Sequence, residues 1–158
     1  DRVELLEGEI IHMSPIGRPH FSTVNRLNAL FTSRLGTRAI VSVQNPFILD
    51  DSSEPQPDLL ILRPRADFYR GGHPTPDDVR LVIEVADTSE DFDRCAKLPR
   101  YAQAGIPEAW LIVLSGDAVD VYNDPSPDGY RAHRRLGSGE RVASRQFPAL
   151  NVAVSELV

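Results

Sequence analysis

Apolar positions along the chain change period several times, and each change marks an element. Short apolar-rich runs at Val3 to Leu6 and Glu9 to Met13 flank Glu7-Gly8, a two-residue turn signal, which predicts a β-hairpin ending at Ser14-Pro15. From Arg18 to Leu35, the residues Val24, Leu27, Leu30, Phe31 and Leu35 recur at three and four, the period of an amphipathic helix, and Gly36 stops it. Ala39 to Val43 and Phe47 to Leu49 read as a strand that bends or breaks at Asn45-Pro46. A polar turn from Asp50 to Pro57 precedes a continuous apolar run, Leu59 to Leu62, and then an Arg-, Pro- and Gly-rich loop through Asp78.

Val79 to Ala86 is apolar on both alternating faces apart from Arg80 and Glu84, the pattern of a central strand covered on both sides. A helix start at Thr88 to Asp91 opens a run to Ala104, with Gly105 as its stop, Pro107 beyond it and a bend expected at Pro99. Ala109 to Leu114 is another apolar strand. Strand, helix, strand at this spacing predicts a βαβ unit with parallel strands. Ala118 to Tyr122 and Tyr130 to Leu136 predict a hairpin around Asn123 to Gly129, and Val152 to Val154 a short strand closing an edge. The fold class is α/β, a mixed sheet with flanking helices, in one domain spanning residues 1–158.

Composition narrows the partners. A net charge of -6 and a pI near 5.2 argue against non-specific coating of nucleic acid, which relies on many Lys and Arg neutralising phosphates, but leave room for a local basic groove. In the loop through Asp78, Arg63, Arg65 and Arg70 could meet a phosphate backbone or simply be solvated. A single cysteine, Cys95, excludes an internal disulfide and a cysteine-based metal cluster, and reads as a small buried thiol in a helix. Together with the absence of a transmembrane-length apolar run and of signal-peptide architecture, it points to a reducing, cytoplasmic setting without membrane contact. Asp1 is not an initiator methionine, which leaves room for an upstream segment and weakens the inference about targeting.

The candidate chemistry lies between Asp58 and Tyr101. An ionised Glu84 inside an apolar strand needs a partner, because burying a lone charge costs far more than burying a hydrogen-bonded polar group. The link from Leu62 to Val79 contains no helix, so the two strands pair antiparallel and Asp58 falls near Glu84. Two adjacent carboxylates repel unless a cation lies between them, and hard oxygen ligands of this kind suit Mg²⁺ or Mn²⁺. On the following helix Asp93, Lys97 and Tyr101 are spaced by four and share one face, from which Lys97 can reach Glu84. Lys97 is the only lysine; the other sixteen of the seventeen basic residues are arginine. It could orient an attacking water or stabilise charge on a phosphorane-like transition state. The competing interpretation is an exposed Asp93–Lys97 helix pair among structural ion pairs. Pro76-Asp77 is a second Pro-Asp pair but lies in a turn away from Glu84. His20, on the Val24, Leu27, Phe31 stripe, faces inward at the start of its helix, as a satisfied core histidine or as a ligand or base.

An acid after proline, an acid in the next core strand and then a lysine resembles the PD-(D/E)XK nuclease superfamily. More closely, VELLEGEIIHMSP with His20 following, EPQPDLLIL, LVIEVADTSEDFDRCAKLPRYAQAGIPEAWLIV and VDVY resemble the Uma-type family of putative restriction endonucleases. The resemblance runs from Val3 to about Tyr122 and more weakly to SELV at the end. It implies a restriction-endonuclease-like fold and a Mg²⁺- (or Mn²⁺-) dependent site hydrolysing DNA phosphodiesters, with Asp58 and Glu84 as metal ligands and Lys97 as the catalytic lysine. His20, Gln44 and Tyr101 look like supporting positions. Ala86 departs from the superfamily pattern, where the short motif has lysine; in this family the lysine has moved to the helix. Two functions follow: a metal-dependent endonuclease, for which a homodimer would suit double-strand cleavage, or a non-catalytic nucleic-acid-binding or assembly module that keeps the nuclease fold. Replacing Glu84 or Lys97 by alanine is expected to leave the fold intact or more stable.

Overall fold

The computed structural model describes residues 2–158. At its centre is a six-stranded sheet in the order β3-β4-β5-β6-β7-β8, formed by β3 (Ile40–Val43), β4 (Leu59–Leu62), β5 (Val79–Ala86), β6 (Glu108–Val113), β7 (Ala118–Ser126) and β8 (Gly129–Leu136). β5 and β6 are parallel and every other neighbouring pair is antiparallel. This mixed pattern follows from the connections. Only the β5–β6 link carries a helix long enough to return the chain to the same end of the sheet.

The long amphipathic α1 (Arg18–Leu35) covers one face, burying Val24, Leu27, Phe31 and Leu35 against Ile83, Val85, Trp110 and Ile112. Phe31 meets Trp110 edge to face, with ring centroids 5.8 Å apart. The opposite face is covered by a helix in three continuous pieces: α2 (Glu90–Phe92), a π-helical turn (Asp93–Lys97) and α3 (Leu98–Gln103). Leu98 and Tyr101 pack there on Leu60, Val82 and Leu111. The expected bend at Pro99 takes the form of this π turn. Pro99 has no N–H to donate, and the Leu98 amide bonds back to the Asp93 carbonyl, one residue further than in an α-helix. Gly105 stops the helix at φ 81°, a left-handed backbone that glycine adopts without strain.

A hairpin, β1 (Val3–Leu6) and β2 (Glu9–His12), lies outside the main sheet and docks on the 52–56 turn through reciprocal Leu5 and Glu54 backbone bonds. β9 (Arg141–Ala143) and β10 (Asn151–Ala153) form a second two-stranded sheet, so the last strand pairs with β9 and does not close the edge of the main sheet. This C-terminal segment is pinned by Glu108, whose buried carboxylate accepts bonds from Trp110 Nε1, Ser144 Oγ and the Arg145 and Gln146 amides. Phe47 to Leu49 is not a strand either. Its amides bond to Pro55, Pro74 and Ser53 carbonyls in surrounding loops, and Phe47 and Leu49 are buried as loop residues. Cys95 is exposed rather than buried, because the π turn puts Asp93 and Lys97 on the inner side. Among the described residues no helix is long and apolar enough to cross a membrane.

Phe31→Ala should destabilise the protein by about 3–5 kcal/mol, because it removes a fully buried ring and leaves a cavity against Trp110. Urea unfolding followed by Trp110 fluorescence measures it; a loss below about 1 kcal/mol would show that the α1 face of the core is loosely packed.

Candidate functional site

Four elements bring charged side chains to one end of the sheet. β4 and β5 pair with Leu59 opposite Ile83, so one step further along this register Asp58 stands opposite Glu84. The Pro57-Asp58 arrangement read from the sequence is therefore realised by strand pairing alone. Arg80 is the only exposed residue of β5; Glu84 is 3% exposed.

Asp58 is held from three sides. The Val85 amide donates to its Oδ2 at 2.8 Å, and His20 Nε2 lies 3.0 Å from its Oδ1. Gln44 contributes twice, its backbone N–H donating to the Asp58 carbonyl (3.0 Å) and its Nε2 to Oδ1 (3.4 Å). Gln44 reaches this position by adopting φ 53°, a left-handed conformation that costs a non-glycine residue energy and ends β3. Burial raises the Asp58 carboxyl, but the bond and charge of His20, the Val85 amide and Lys97 outweigh it and hold the group below the ordinary aspartate value.

Glu84 and Lys97 are in direct contact. Lys97 Nζ lies 2.6 Å from Glu84 Oε1 and 3.2 Å from Glu4 Oε2, and all three side chains are almost fully buried. The Tyr101 hydroxyl donates to the same Glu84 Oε1 at 2.6 Å. The exposed Asp93–Lys97 pair is ruled out: both residues are buried, and Asp93 instead accepts a 2.7 Å bond from Ser89 Oγ. Glu4, Glu84 and Asp93 thus surround one ammonium. Burial pushes Glu84 up to about 8, opposed by Lys97 and reinforced by Asp93 and Asp58. Asp93 is pushed up to about 6, again by burial first, with Lys97 and Ser89 opposing. Burial alone would lower Lys97, but the charges of Glu84, Glu4 and Asp93 raise it, so it remains an ammonium.

Glu4, His20, Asp58, Glu84, Asp93 and Lys97 line a cleft of about 410 Å³ with Arg2, His12, Ser89 and Phe92 on its walls, while Gln44 and Tyr101 support it from behind. The six residues read as catalytic or supporting, Asp58, Glu84, Lys97, His20, Gln44 and Tyr101, fall in this one cluster. Asp77 does not. It lies in a short helical turn at the far end of β5, where its neighbour Asp78 caps Thr75 and pairs with Arg63 at 2.6 Å. Arg65 is likewise occupied, by Asp67 at 2.8 Å and by the Tyr69 ring. Glu4 was missed. Its signal was a carboxylate at the register of Leu6, the other inward residue of β1, a position where the hairpin pattern calls for an apolar side chain.

A divalent cation fits the donor chemistry. Two hard carboxylates line the cleft, negative charge exceeds positive around them, and among the described residues no bond occupies Glu84 Oε2. Among the described residues no three His, Cys, Asp or Glu side chains already converge as a metal cage. Two carboxylates completed by water are what Mg²⁺ commonly accepts.

Comparison with known proteins bears on the whole chain. A family model described as "Uma2: Putative restriction endonuclease" matches residues 1–155. A crystal structure of "a putative nuclease belonging to DUF820" from Anabaena variabilis ATCC 29413 is similar with a TM-score of 0.75 at 16% identity, covering 98% of this chain and 88% of that one; it shows the fold. A search of curated proteins returns no match.

The raised carboxyls make metal-free stability pH-dependent. A carboxyl whose folded value exceeds its unfolded one stabilises the fold at low pH and loses that contribution as pH rises through the folded value. Stability in EDTA should therefore fall between about pH 4.5 and 8 through Glu84, by on the order of a few kcal/mol, with Asp93 adding to the fall up to about pH 6. Melting temperatures across this range should decline in the unmodified protein and flatten in Glu84→Gln; parallel curves would exclude Glu84 as the source.

Proposed function

The chain belongs to the Uma2 family of putative restriction endonucleases, and on that premise we propose that it is a divalent-metal-dependent endonuclease acting on DNA in the cytoplasm. The observation that carries this reading is the buried set of Asp58, Glu84 and Lys97 at the floor of one cleft. Asp58 and Glu84 would hold Mg²⁺ or Mn²⁺, and the ion would supply Lewis acidity towards a phosphate oxygen and the attacking water.

The chain's own residues provide the rest. His20, Gln44 and the Val85 amide fix the Asp58 carboxylate, and the Tyr101 hydroxyl orients Glu84. Lys97, held as an ammonium, stabilises the negative charge that develops on the phosphoryl group in an environment where water screens little. On the cleft wall Arg2 has a buried Nη2 without a hydrogen-bond partner among the described residues, which leaves it available to a substrate phosphate. This local cation offsets an otherwise acidic surface. A homodimer would place two such sites on opposite strands.

One observation favours the second reading, a non-catalytic module with the same fold. Lys97 already has two carboxylate partners, as a purely structural ion cluster would require. The two readings separate on metal and on lysine. Asp58→Ala and Glu84→Ala should each weaken Mn²⁺ binding by more than about tenfold in calorimetry. Lys97→Met should keep Mn²⁺ binding while slowing Mn²⁺-dependent plasmid nicking by about 10²–10³. Unchanged Mn²⁺ binding in both carboxylate variants sinks the metal site, and nicking that persists in Lys97→Met assigns the activity elsewhere. The burial of Lys97 also revises the stability expectation. Lys97→Ala leaves Glu84 and Glu4 without a counter-charge, so the variant should be less stable than the parent above neutral pH.

A further inference from the structure

Lys97 Nζ touches two carboxylates that come from different parts of the fold and have different further bonds. Glu84, on β5, also receives the Tyr101 hydroxyl and faces Asp58 across the β4–β5 pairing. Glu4, on β1, receives the Gln56 amide on the same Oε2 at 3.0 Å, so its position is fixed by backbone independently of the lysine. Nothing in the strand pairing of β1 and β2 requires a carboxylate there, and Glu4 is 5% exposed, a costly place for a charge without a task.

The difference becomes important once Glu84 is shared. A divalent cation and the Lys97 ammonium, both positive, compete for the Glu84 carboxylate. With no second acceptor the lysine would either block the cation or be driven from the cleft. Resting on the metal-dependent reading above, we infer that Glu4 is a positioning residue, a second seat that keeps the Lys97 ammonium in the cleft when Glu84 turns to a cation. Glu4 acts through Lys97 and touches neither cation nor substrate.

The test uses the full chain and two measurements. Mn²⁺ affinity is determined by calorimetry for the parent, Glu4→Gln, Lys97→Met and the double variant. Gln at position 4 keeps an oxygen for the Gln56 amide while removing the charge that holds the lysine. Glu4→Gln should weaken Mn²⁺ binding by about tenfold, because the lysine then leans on Glu84 alone; in the Lys97→Met background the same change should alter binding by less than about twofold. Equal weakening in both backgrounds would mean that Glu4 acts on the cation directly, and no weakening in either would mean that it merely latches the hairpin; both outcomes overturn the inference.

The second measurement exploits the single lysine, since ¹⁵N-lysine labelling gives one side-chain NMR signal. On adding Mg²⁺ that signal should shift and persist in the parent and in Glu4→Asp, and disappear through solvent exchange in Glu4→Gln. Persistence in Glu4→Gln would overturn the inference even if calorimetry were blurred by altered stability. A parent that binds no Mn²⁺ at all would instead remove the metal reading itself, an outcome distinct from either result for Glu4.

Discussion

One ammonium among buried carboxylates governs this structure. Lys97 sits where Glu84 and Glu4 both reach it and where Asp93 adds a third negative group nearby. In a poorly screened interior neither sign is tolerable alone, so the lysine makes the acids possible and the acids make the lysine possible. The surplus of acid remains. Burial first, and this surplus of neighbouring acid with it, raises Glu84 and Asp93, and the surplus is what a divalent cation would relieve.

The fold supplies this arrangement through ordinary backbone rules. Antiparallel pairing of β4 with β5 places Asp58 across from Glu84, and the parallel return to β6 requires a helix that passes over Glu84. The π turn before Pro99 then directs Asp93 and Lys97 inward together. Rigid packing on both faces of the sheet, with Phe31 against Trp110 on one side and Tyr101 beside Phe47 on the other, keeps these positions from drifting.

Much of this was legible in the residues because local periodicity and connection length determined it. The bounds of α1, β4 and β5 follow from apolar spacing, and the neighbourhood of Asp58 and Glu84 follows from a link without a helix. The failures share a cause. Phe47 to Leu49 looks like a strand because buried loop residues are apolar too, and only tertiary hydrogen bonds reveal that it is a loop. The last strand found β9 instead of the main sheet because a buried glutamate, Glu108, fastens the C-terminal segment from a distance. Cys95 was assigned inward by type, whereas the π turn rotated it outward. Glu4 escaped because its partner lies far along the chain, and a four-residue strand offers too few positions for one acid to stand out.

That long separation also bears on how the protein comes into being. The hairpin carrying Glu4 is synthesised before Lys97, which follows more than ninety residues later. Until the crossover helix forms, Glu4 has no ammonium to face, and closing so large a loop is entropically slow. Assembly of the cleft therefore depends on a long-range docking step: β1 and β2 lie outside the main sheet, so the sheet and its crossover helix can be in place before Glu4 reaches Lys97.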